Sequence, residues 1–231
     1  MLLEVIATCG EDVLRACSGG ADRIELVSGI GEGGLTPSIG LLDYAVSHAD
    51  IPVHVMIRPH SRSFRYDASD LLVMRRDIRE ARLAGAAGIV IGALTPEGRV
   101  DRTALLPLLE EEAEGMNVTF HRAFDEARDL DEALEDVLLL PRVNRILTSG
   151  GRQSAADAPD VIARLYGRLA GSPVRLLAGS GLTPASIGSF MERTGVREVH
   201  FGRGVRTNGS YAEPIDPAII RSMKRGAGGP E

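Results

Sequence analysis

The sequence predicts a single-domain α/β protein, a (β/α)8 TIM barrel. Short apolar runs alternate eight times with longer helical patterns, which is typical of βα units around a parallel sheet. Polar residues stand directly after several of these runs, as in His121-Arg122 and Ser149-Gly150, where the carboxyl ends of parallel strands build binding sites. With 231 residues the chain fits one such barrel. An open doubly wound sheet is the alternative.

The first four βα units follow from this alternation in order. The predicted strands cover residues 2–7, 23–27, 52–58 and 88–91, and the helices cover about residues 11–18, 37–48, 70–84 and 102–114. Pro37 suits the first turn of its helix because its ring fixes φ and it needs no amide partner there. Ser69 and Asp101 are predicted to cap the next two helices, since their side-chain oxygens accept hydrogen bonds from free amides.

The last four units repeat the same pattern. The predicted strands cover residues 118–121, 145–148, 174–178 and 198–201, and the helices cover about residues 131–139, 160–169, 184–193 and 217–223. Pro184 begins the seventh helix in the same way as Pro37 begins the second. The barrel domain therefore spans residues 1–225. Residues 226–231 are rich in glycine and are predicted to form a disordered tail.

Composition excludes several classes of function. The net charge of −6 argues against a nucleic-acid-binding protein, and no apolar run reaches the ~20 residues of a membrane helix. The N-terminus lacks the basic start and the long apolar stretch of a signal peptide, so we expect a cytoplasmic protein. Lys224 is the only lysine, which argues against Schiff-base chemistry at a strand end.

Alternation along the strands predicts which side chains face the barrel interior. In the third strand Val53 and Val55 suit the helix-facing side, so His54 and Arg58 point inward. The same period turns further polar residues inward, namely Glu4, Glu25, Thr119, His121, Glu198 and His200. Most barrels fill their centre with apolar side chains, and a buried charge is costly when alone. We therefore expect the charged groups to form pairs.

Five of the inward residues are candidates for catalysis: Glu4, Glu25, Arg58, His121 and His200. His121 is expected to act as a general acid or base tuned by a carboxylate, while Arg58 offers a fork to an anionic substrate group. Two alternatives stay open. The charges could form a structural ion-pair network, or the two glutamates and two histidines could bind zinc, manganese or iron.

Glycine-rich turns follow the last two predicted strands, at Gly179-Ser180-Gly181 and Gly202-Arg203-Gly204. Loops at this position of TIM barrels often bind phosphate through backbone amides. We therefore predict a site for sulfate, phosphate or a small carboxylate. Its candidate residues are Arg58, Arg122, Asp125, Ser149, Gly150, Gly179, Gly181, Gly202 and Arg203. Asp125 has a second interpretation, as the cap of the following helix.

Five ordered segments of the chain resemble the CutC family of copper homeostasis proteins. They are Gly20–Leu26, Gly33–Ser38, Val55–Pro59, Val118–Asp125 and Arg145–Gly151. The resemblance implies a cytoplasmic TIM barrel that is linked to copper handling, with copper as its implied cofactor. A homo-oligomer, in the form of a homodimer, is a further expectation.

The chain departs from the CutC pattern at the positions that the resemblance implies for copper. Typical members carry cysteines where this chain has Ile6 and Val27, and soft thiolates are the ligands that suit Cu(I). Cys9 and Cys17 lie elsewhere and are the remaining metal candidates. Two functions stay open: a non-enzymatic copper-homeostasis protein, and a barrel enzyme that acts by proton transfer on a small anionic or phosphorylated metabolite.

Overall fold

Eight parallel strands close into a barrel in chain order in this computed structural model, and β8 pairs with β1. The structure describes residues 1–227. The strands are β1 (Leu2–Ala7), β2 (Arg23–Leu26), β3 (Val53–Met56), β4 (Gly88–Ile91), β5 (Asn117–Phe120), β6 (Val143–Thr148), β7 (Arg175–Gly179) and β8 (Glu198–Phe201). The helices that follow them are α1 (Gly10–Gly19), α2 (Ile39–His48), α3 (Ala68–Ala84), α4 (Arg102–Glu111), α5 (Leu130–Leu138), α6 (Pro159–Arg168), α7 (Ile187–Thr194) and α8 (Pro217–Ala227). The predicted (β/α)8 TIM barrel is confirmed, and the open sheet is excluded.

All eight predicted strands are present, and β1, β4 and β8 have the predicted bounds. Three helix starts differ clearly from the prediction. α7 begins at Ile187 rather than at Pro184, because residues 184–186 form a turn before it. The other two differ because other side chains supply the caps. α2 begins at Ile39, with the hydroxyl of Ser38 accepting a first-turn amide. α3 is capped by Asp67 rather than Ser69, and its carboxylate accepts from two amides of the first turn. Asp101 caps α4 as predicted.

The last helix is longer than predicted. α8 extends to Ala227, so Gly226 and Ala227, which were expected in a disordered tail, are helical. Lys224 supports these last turns, because its ammonium group donates to both carboxylate oxygens of Asp22 in the loop before β2. The only lysine is thus used structurally. Residues 228–231 of the predicted tail lie outside the described residues.

Charged side chains fill the lower part of the barrel interior. Arg23 Nε donates to Glu4 Oε2 at 2.5 Å, and its Nη2 reaches Glu198 Oε2 at 3.2 Å. Arg145 Nε donates to the same Glu198 oxygen at 2.7 Å. We call Glu4, Arg23, Arg145 and Glu198 the ion-pair layer. The expectation that interior charges pair is confirmed here, and the apolar residues of the same strands, such as Leu3, pack outward against the helices.

The two arginines of the ion-pair layer were not among the predicted interior residues. Arg23 lies two positions before Glu25 on β2 and therefore shares its inward face. Arg145 lies two positions before Leu147, which reaches the interior from β6. Side chains alternate between the two faces of a strand. Applying this alternation from the first residue of each predicted strand would have predicted that both arginines point inward.

Within residues 1–227, no helix combines the length and the apolar character needed to cross a membrane. The cytoplasmic location, the homodimer and the lack of a nucleic-acid partner stay predictions.

We expect Arg23→Gln to destabilise the fold by about 3–5 kcal/mol, because it leaves buried carboxylates without their cation. Arg75→Gln is the matched control. Arg75 pairs with Glu111 at the surface, where such pairs contribute about 1 kcal/mol or less. Urea unfolding of the three proteins measures the free energy of unfolding. A loss of stability in Arg23→Gln no larger than in the control would show that the layer is not a structural requirement.

Candidate functional site

A cavity of about 820 Å³ opens at the carboxyl ends of the strands. We call it the mouth cavity. Of the predicted site residues, those that line it are Glu25, Arg58, His121, Arg122, Asp125, Gly181, His200, Gly202 and Arg203. The other predicted residues do not line it, namely Glu4, Ser149, Gly150, Gly179, Cys9 and Cys17. Glu25, His121 and His200 form its buried floor, while Arg152 and Arg203 are exposed at its rim.

Glu25 is the floor residue with the most unusual environment. Its side chain is 3% exposed, and its Oε1 has no hydrogen-bond partner among residues 1–227. Its Oε2 lies 3.7 Å from His200 Nε2. Burial raises the pKa of Glu25 to about 7, and the nearby Glu4 carboxylate acts in the same direction. A carboxyl group with this pKa can both accept and release a proton at neutral pH, which is the property of a general acid or base.

His200 links Glu25 to the ion-pair layer. Its Nδ1 donates to Glu4 Oε1 at 2.7 Å, because an ionised carboxylate can only accept. Burial opposes protonation of His200, but the carboxylates of Glu25 and Glu4 raise its pKa above the ordinary value. Burial alone would raise the pKa of Glu4. Arg23 and His200 outweigh this effect and hold the pKa well below the usual range. The three side chains form a carboxylate–imidazole–carboxylate series that ends at the cavity.

His121 differs from the predicted general acid or base tuned by a carboxylate. Its Nδ1 accepts from the Ala123 amide at 3.1 Å, and its Nε2 has no partner in the described part of the chain. Burial and the positive charge of Arg58 lower its pKa to about 3. The ring is therefore neutral at physiological pH, with its proton on Nε2. It can donate a hydrogen bond into the cavity, but it carries no titratable charge there.

Glycines in neighbouring strands make room for both floor imidazoles. A Cβ atom at Gly92, after β4, would lie 2.6 Å from His121 Nδ1. One at Gly179, the last residue of β7, would lie 3.0 Å from the Cβ of His200. Each ring therefore packs on bare backbone, which limits its movement. Gly179, a predicted anion-binding residue, does not line the cavity, and its missing side chain leaves this space.

Arg58 does not present the predicted fork to the cavity. Its Nη1 donates to the carbonyls of Glu32 and Gly34 at 2.9 and 3.1 Å, and its Nη2 reaches the Ser61 carbonyl at 3.4 Å. Its guanidinium lies 4.5 Å from the ring centre of Phe64. Arg58 therefore fixes the loops after β2 and β3, because a guanidinium offers more donors than an isolated turn can satisfy.

Asp125 occupies the turn after β6 that was predicted to bind an external anion. Its carboxylate accepts from the Ser149 and Gly151 amides at 2.9–3.1 Å, and from the hydroxyls of Thr148 and Ser149. Arg122 pairs with it at 2.9 Å. The chain's own carboxylate thus uses the donors that an anion would need. Asp125 is not a helix cap either, since another aspartate caps α5.

Other donors at the mouth have no acceptor within residues 1–227. They include the backbone amides of Gly181, Leu182, Arg203 and Gly204, the guanidinium groups of Arg152 and Arg203, and Nε of Arg58. Gly181 and Arg203 were predicted anion-binding residues. Arg152 was not predicted to bind an anion, although its position directly after the Ser149-Gly150-Gly151 turn would have suggested this role. Gly202 leaves room for Tyr211, whose hydroxyl packs against the glycine backbone.

Comparison with known proteins assigns the chain to a family. The CutC family model matches residues 1–205. The chain belongs to the CutC family. CutC family proteins of Caulobacter vibrioides and Sinorhizobium medicae are 44% and 42% identical over 96% and 100% of this chain, and over 86% and 89% of their own lengths.

Solved structures agree with this assignment. The putative copper homeostasis protein CutC from Streptococcus agalactiae is 29% identical, with a TM-score of 0.81 over 87% of this chain and 98% of that one. Phosphoribosyl anthranilate isomerase from Thermococcus kodakaraensis covers 99% of both chains at 18% identity and a TM-score of 0.61, which shows a shared fold only.

The CutC resemblance implied copper, and the residues present do not fit a Cu(I) thiolate site. Ile6 and Val27, at the positions of the family's candidate cysteines, pack with Met56 and Val90 in one apolar cluster on the cavity wall. Two thiolates at these neighbouring positions could share one Cu(I) ion, whereas the methyl groups of Ile6 and Val27 cannot bind it. Cys9 is exposed at the start of α1.

The hard-metal alternative has partial support in geometry. Glu4, Glu25 and His200 each offer one ligand atom, and these atoms lie within 4.8 Å of one another. His121 is not part of this group. Both oxygens of Glu4 already accept hydrogen bonds, one from Arg23 and one from His200. The group is thus held by internal bonds, and no metal role is assigned to it.

We expect no stoichiometric Cu(I) binding in a competition titration against a Cu(I) chelator. The double variant Ile6→Cys/Val27→Cys should acquire such binding, because it restores two adjacent thiolates. Cys9→Ser/Cys17→Ser is the control and should behave like the parent chain. Tight binding by the parent that survives removal of both native thiols would contradict the prediction.

The raised pKa of Glu25 predicts a pH-dependent stability. Glu25 holds its proton more tightly in the folded chain, so its contribution is fully present below its ordinary pKa of 4.5 and is lost as pH rises through about 7. Glu25→Gln stays neutral. It should therefore melt a few degrees higher than the parent at pH 8 and equally near pH 4, as followed by circular dichroism. The exposed Glu126→Gln is the control. Parallel pH curves for the parent and Glu25→Gln would contradict this.

Proposed function

We propose that the protein is an acid–base enzyme in which Glu25 exchanges a proton with a small anionic metabolite bound in the mouth cavity. The observation that carries the proposal is the free Oε1 of Glu25, buried at the cavity floor on a carboxyl group whose pKa is about 7. A structural carboxylate would be expected to have its hydrogen bonds satisfied, as Glu4 and Glu198 do. A group left unsatisfied at a cavity is a candidate for contact with a ligand.

The neighbours of Glu25 suit this role. Glu4 holds the His200 ring through Nδ1, and the opposite nitrogen of that ring faces Glu25. His200 is thus a positioning residue that stabilises the ionised form of Glu25. His121 supplies a neutral Nε2–H donor on the same floor. Such a donor stabilises negative charge on a substrate oxygen without losing its own proton.

The proposed reaction is a proton shift within one substrate. Glu25 takes a proton from a substrate atom beside a carbonyl, and the electron pair moves onto the carbonyl oxygen that His121 contacts. Glu25 then returns the proton to a different atom of the same molecule. This isomerisation needs no oxidant, reductant or second substrate. The guanidinium groups of Arg152 and Arg203 at the opening attract an anionic substrate locally despite the net charge of −6, while Glu32 and Glu126 line other parts of the same cavity.

Copper enters this proposal only indirectly. The name of the Streptococcus agalactiae relative suggests a role in copper homeostasis. In this chain the apolar cluster at Ile6 and Val27 argues against a thiolate-bound ion. We infer that any link to copper homeostasis passes through the metabolite in the cavity rather than through a copper ion held by the protein.

Proton exchange in D2O tests the function. We expect the parent protein to catalyse C–H to C–D exchange, followed by NMR, in at least one compound of a panel of sugar phosphates and keto acids. The rate should rise with pH through about 7 as Glu25 ionises. Glu25→Gln should lose about 100-fold or more of this rate. Glu126→Gln, which changes an exposed carboxylate at the same cavity, should keep it. No exchange across the panel, or full exchange in Glu25→Gln, would contradict the proposal.

A further inference from the structure

The two sides of the mouth cavity differ in chemistry. On one side stands an apolar wall, which we define as Ile6, Ile30, Met56 and Tyr211. Ile6 is the penultimate residue of β1 and Met56 is the last residue of β3. Both belong to a buried apolar cluster, against which Ile30 and Tyr211 pack. Tyr211 lies in the loop after β8, which neighbours β1 in the closed barrel. Polar ligand atoms against this wall would lose their hydrogen bonds to water without replacement.

The adjoining side carries hydrogen-bond donors, since Gly202, directly before Arg203, lies against Ile6 and the Tyr211 hydroxyl. The loop after β7 provides the amides of Gly181 and Leu182, and the loop after β8 provides those of Arg203 and Gly204. The two loops touch, since a Cβ atom at Gly204 would lie 3.0 Å from the Leu182 carbonyl oxygen. We call these four amides, with the guanidinium groups of Arg152 and Arg203, the donor rim. None of these donors has an acceptor inside the described chain, residues 1–227.

The number of donors favours phosphate over carboxylate. A carboxylate has two oxygens in one plane, whereas a phosphate monoester has three terminal oxygens arranged tetrahedrally and nearly two negative charges. The donors come from two adjacent loops and include two cations, which suits a tetrahedral group with nearly two negative charges better than a planar group with one. The turn after β6 shows the contrast, because there the planar carboxylate of Asp125 is satisfied by a single turn, its flanking hydroxyls and one cation, Arg122.

We propose that the mouth cavity binds a phosphate monoester with a compact apolar or aromatic body, its phosphate on the donor rim and its body against the apolar wall. The inference rests on the proposed function and names the substrate class of that same site. Glu25 and His121, both nine-tenths or more buried, line the floor of the same cavity with one buried unpartnered polar atom each. In this arrangement the part of the ligand that joins phosphate and body lies over these two groups.

Four simple probes separate the features of this ligand in calorimetric titrations of the whole protein. Phenyl phosphate has both features, glycerol 3-phosphate has a polar body, inorganic phosphate has no body, and benzoate has a carboxylate in place of phosphate. We expect phenyl phosphate to bind about tenfold or more tightly than each of the others, because only it uses both the donor rim and the apolar wall.

Variants assign the two halves of the ligand to the two sides of the cavity. Ile6→Thr should weaken phenyl phosphate several-fold and leave inorganic phosphate unchanged. Arg203→Gln should weaken both phosphates by a similar factor. Arg62→Gln is the control for net charge, because Arg62 is exposed and does not line the cavity. All variants are first checked for parental circular dichroism and melting, so that a loss of binding is not a loss of fold.

Each other outcome overturns a defined part of the inference. Equal affinity for phenyl phosphate and glycerol 3-phosphate would overturn the apolar body, and equal affinity for benzoate would overturn the phosphate. No binding of any probe at millimolar concentration would overturn both. Preferential binding of phenyl phosphate without proton exchange in any compound would contradict the proposed function alone. Proton exchange in a compound without a phosphate or an apolar body would contradict the substrate class alone.

Discussion

Glu4 is the residue on which the interior of this barrel depends. Its fully buried carboxylate accepts from Arg23 with one oxygen and from His200 with the other. A charge at this depth is tolerable only with such partners, because burial without them costs several kcal/mol. The same arginine also reaches Glu198, which Arg145 neutralises in turn. One carboxylate therefore joins the other members of the ion-pair layer to the imidazole of His200.

The balance of charge in this interior explains the unusual state of Glu25. Two arginines, Arg23 and Arg145, face three carboxylates, and Glu4 and Glu198 take all the direct contacts. Glu25 is left with His200 at 3.7 Å and with a neighbouring negative charge at Glu4. Its raised pKa follows from burial and from this shortage of cations. The interior thus contains the expected ion-pair network, and above it one carboxyl group, Glu25, whose Oε1 has no partner in the described chain.

The mouth cavity shows the same division, between donors that are satisfied within the chain and donors that have no partner there. Arg58, Arg122 and the turn after β6 seemed suited to an anion, yet most of their donors are used by loop carbonyls, hydroxyls and the carboxylate of Asp125. Those contacts fix the loops around the cavity. The groups left without a partner are the donor rim, Nε of Arg58, Oε1 of Glu25 and Nε2 of His121, and they lie beside the apolar wall. The apolar wall includes Ile6, one of the positions where the family pattern has cysteine, so the chemistry of this mouth differs from the one that pattern implies.

The sequence by itself determined the barrel, its eight strands and the inward direction of Glu4, Glu25, His121 and His200. These follow from local periods of two and about 3.6 residues, which neighbouring residues carry without reference to the rest of the chain. Only the tertiary structure decided which inward groups meet. Glu4 and His200 are 196 positions apart, and Asp125 reaches a turn more than twenty residues away. The neutrality of His121 and the pKa of Glu25 depend on such distant neighbours and on burial, so no local pattern could predict them.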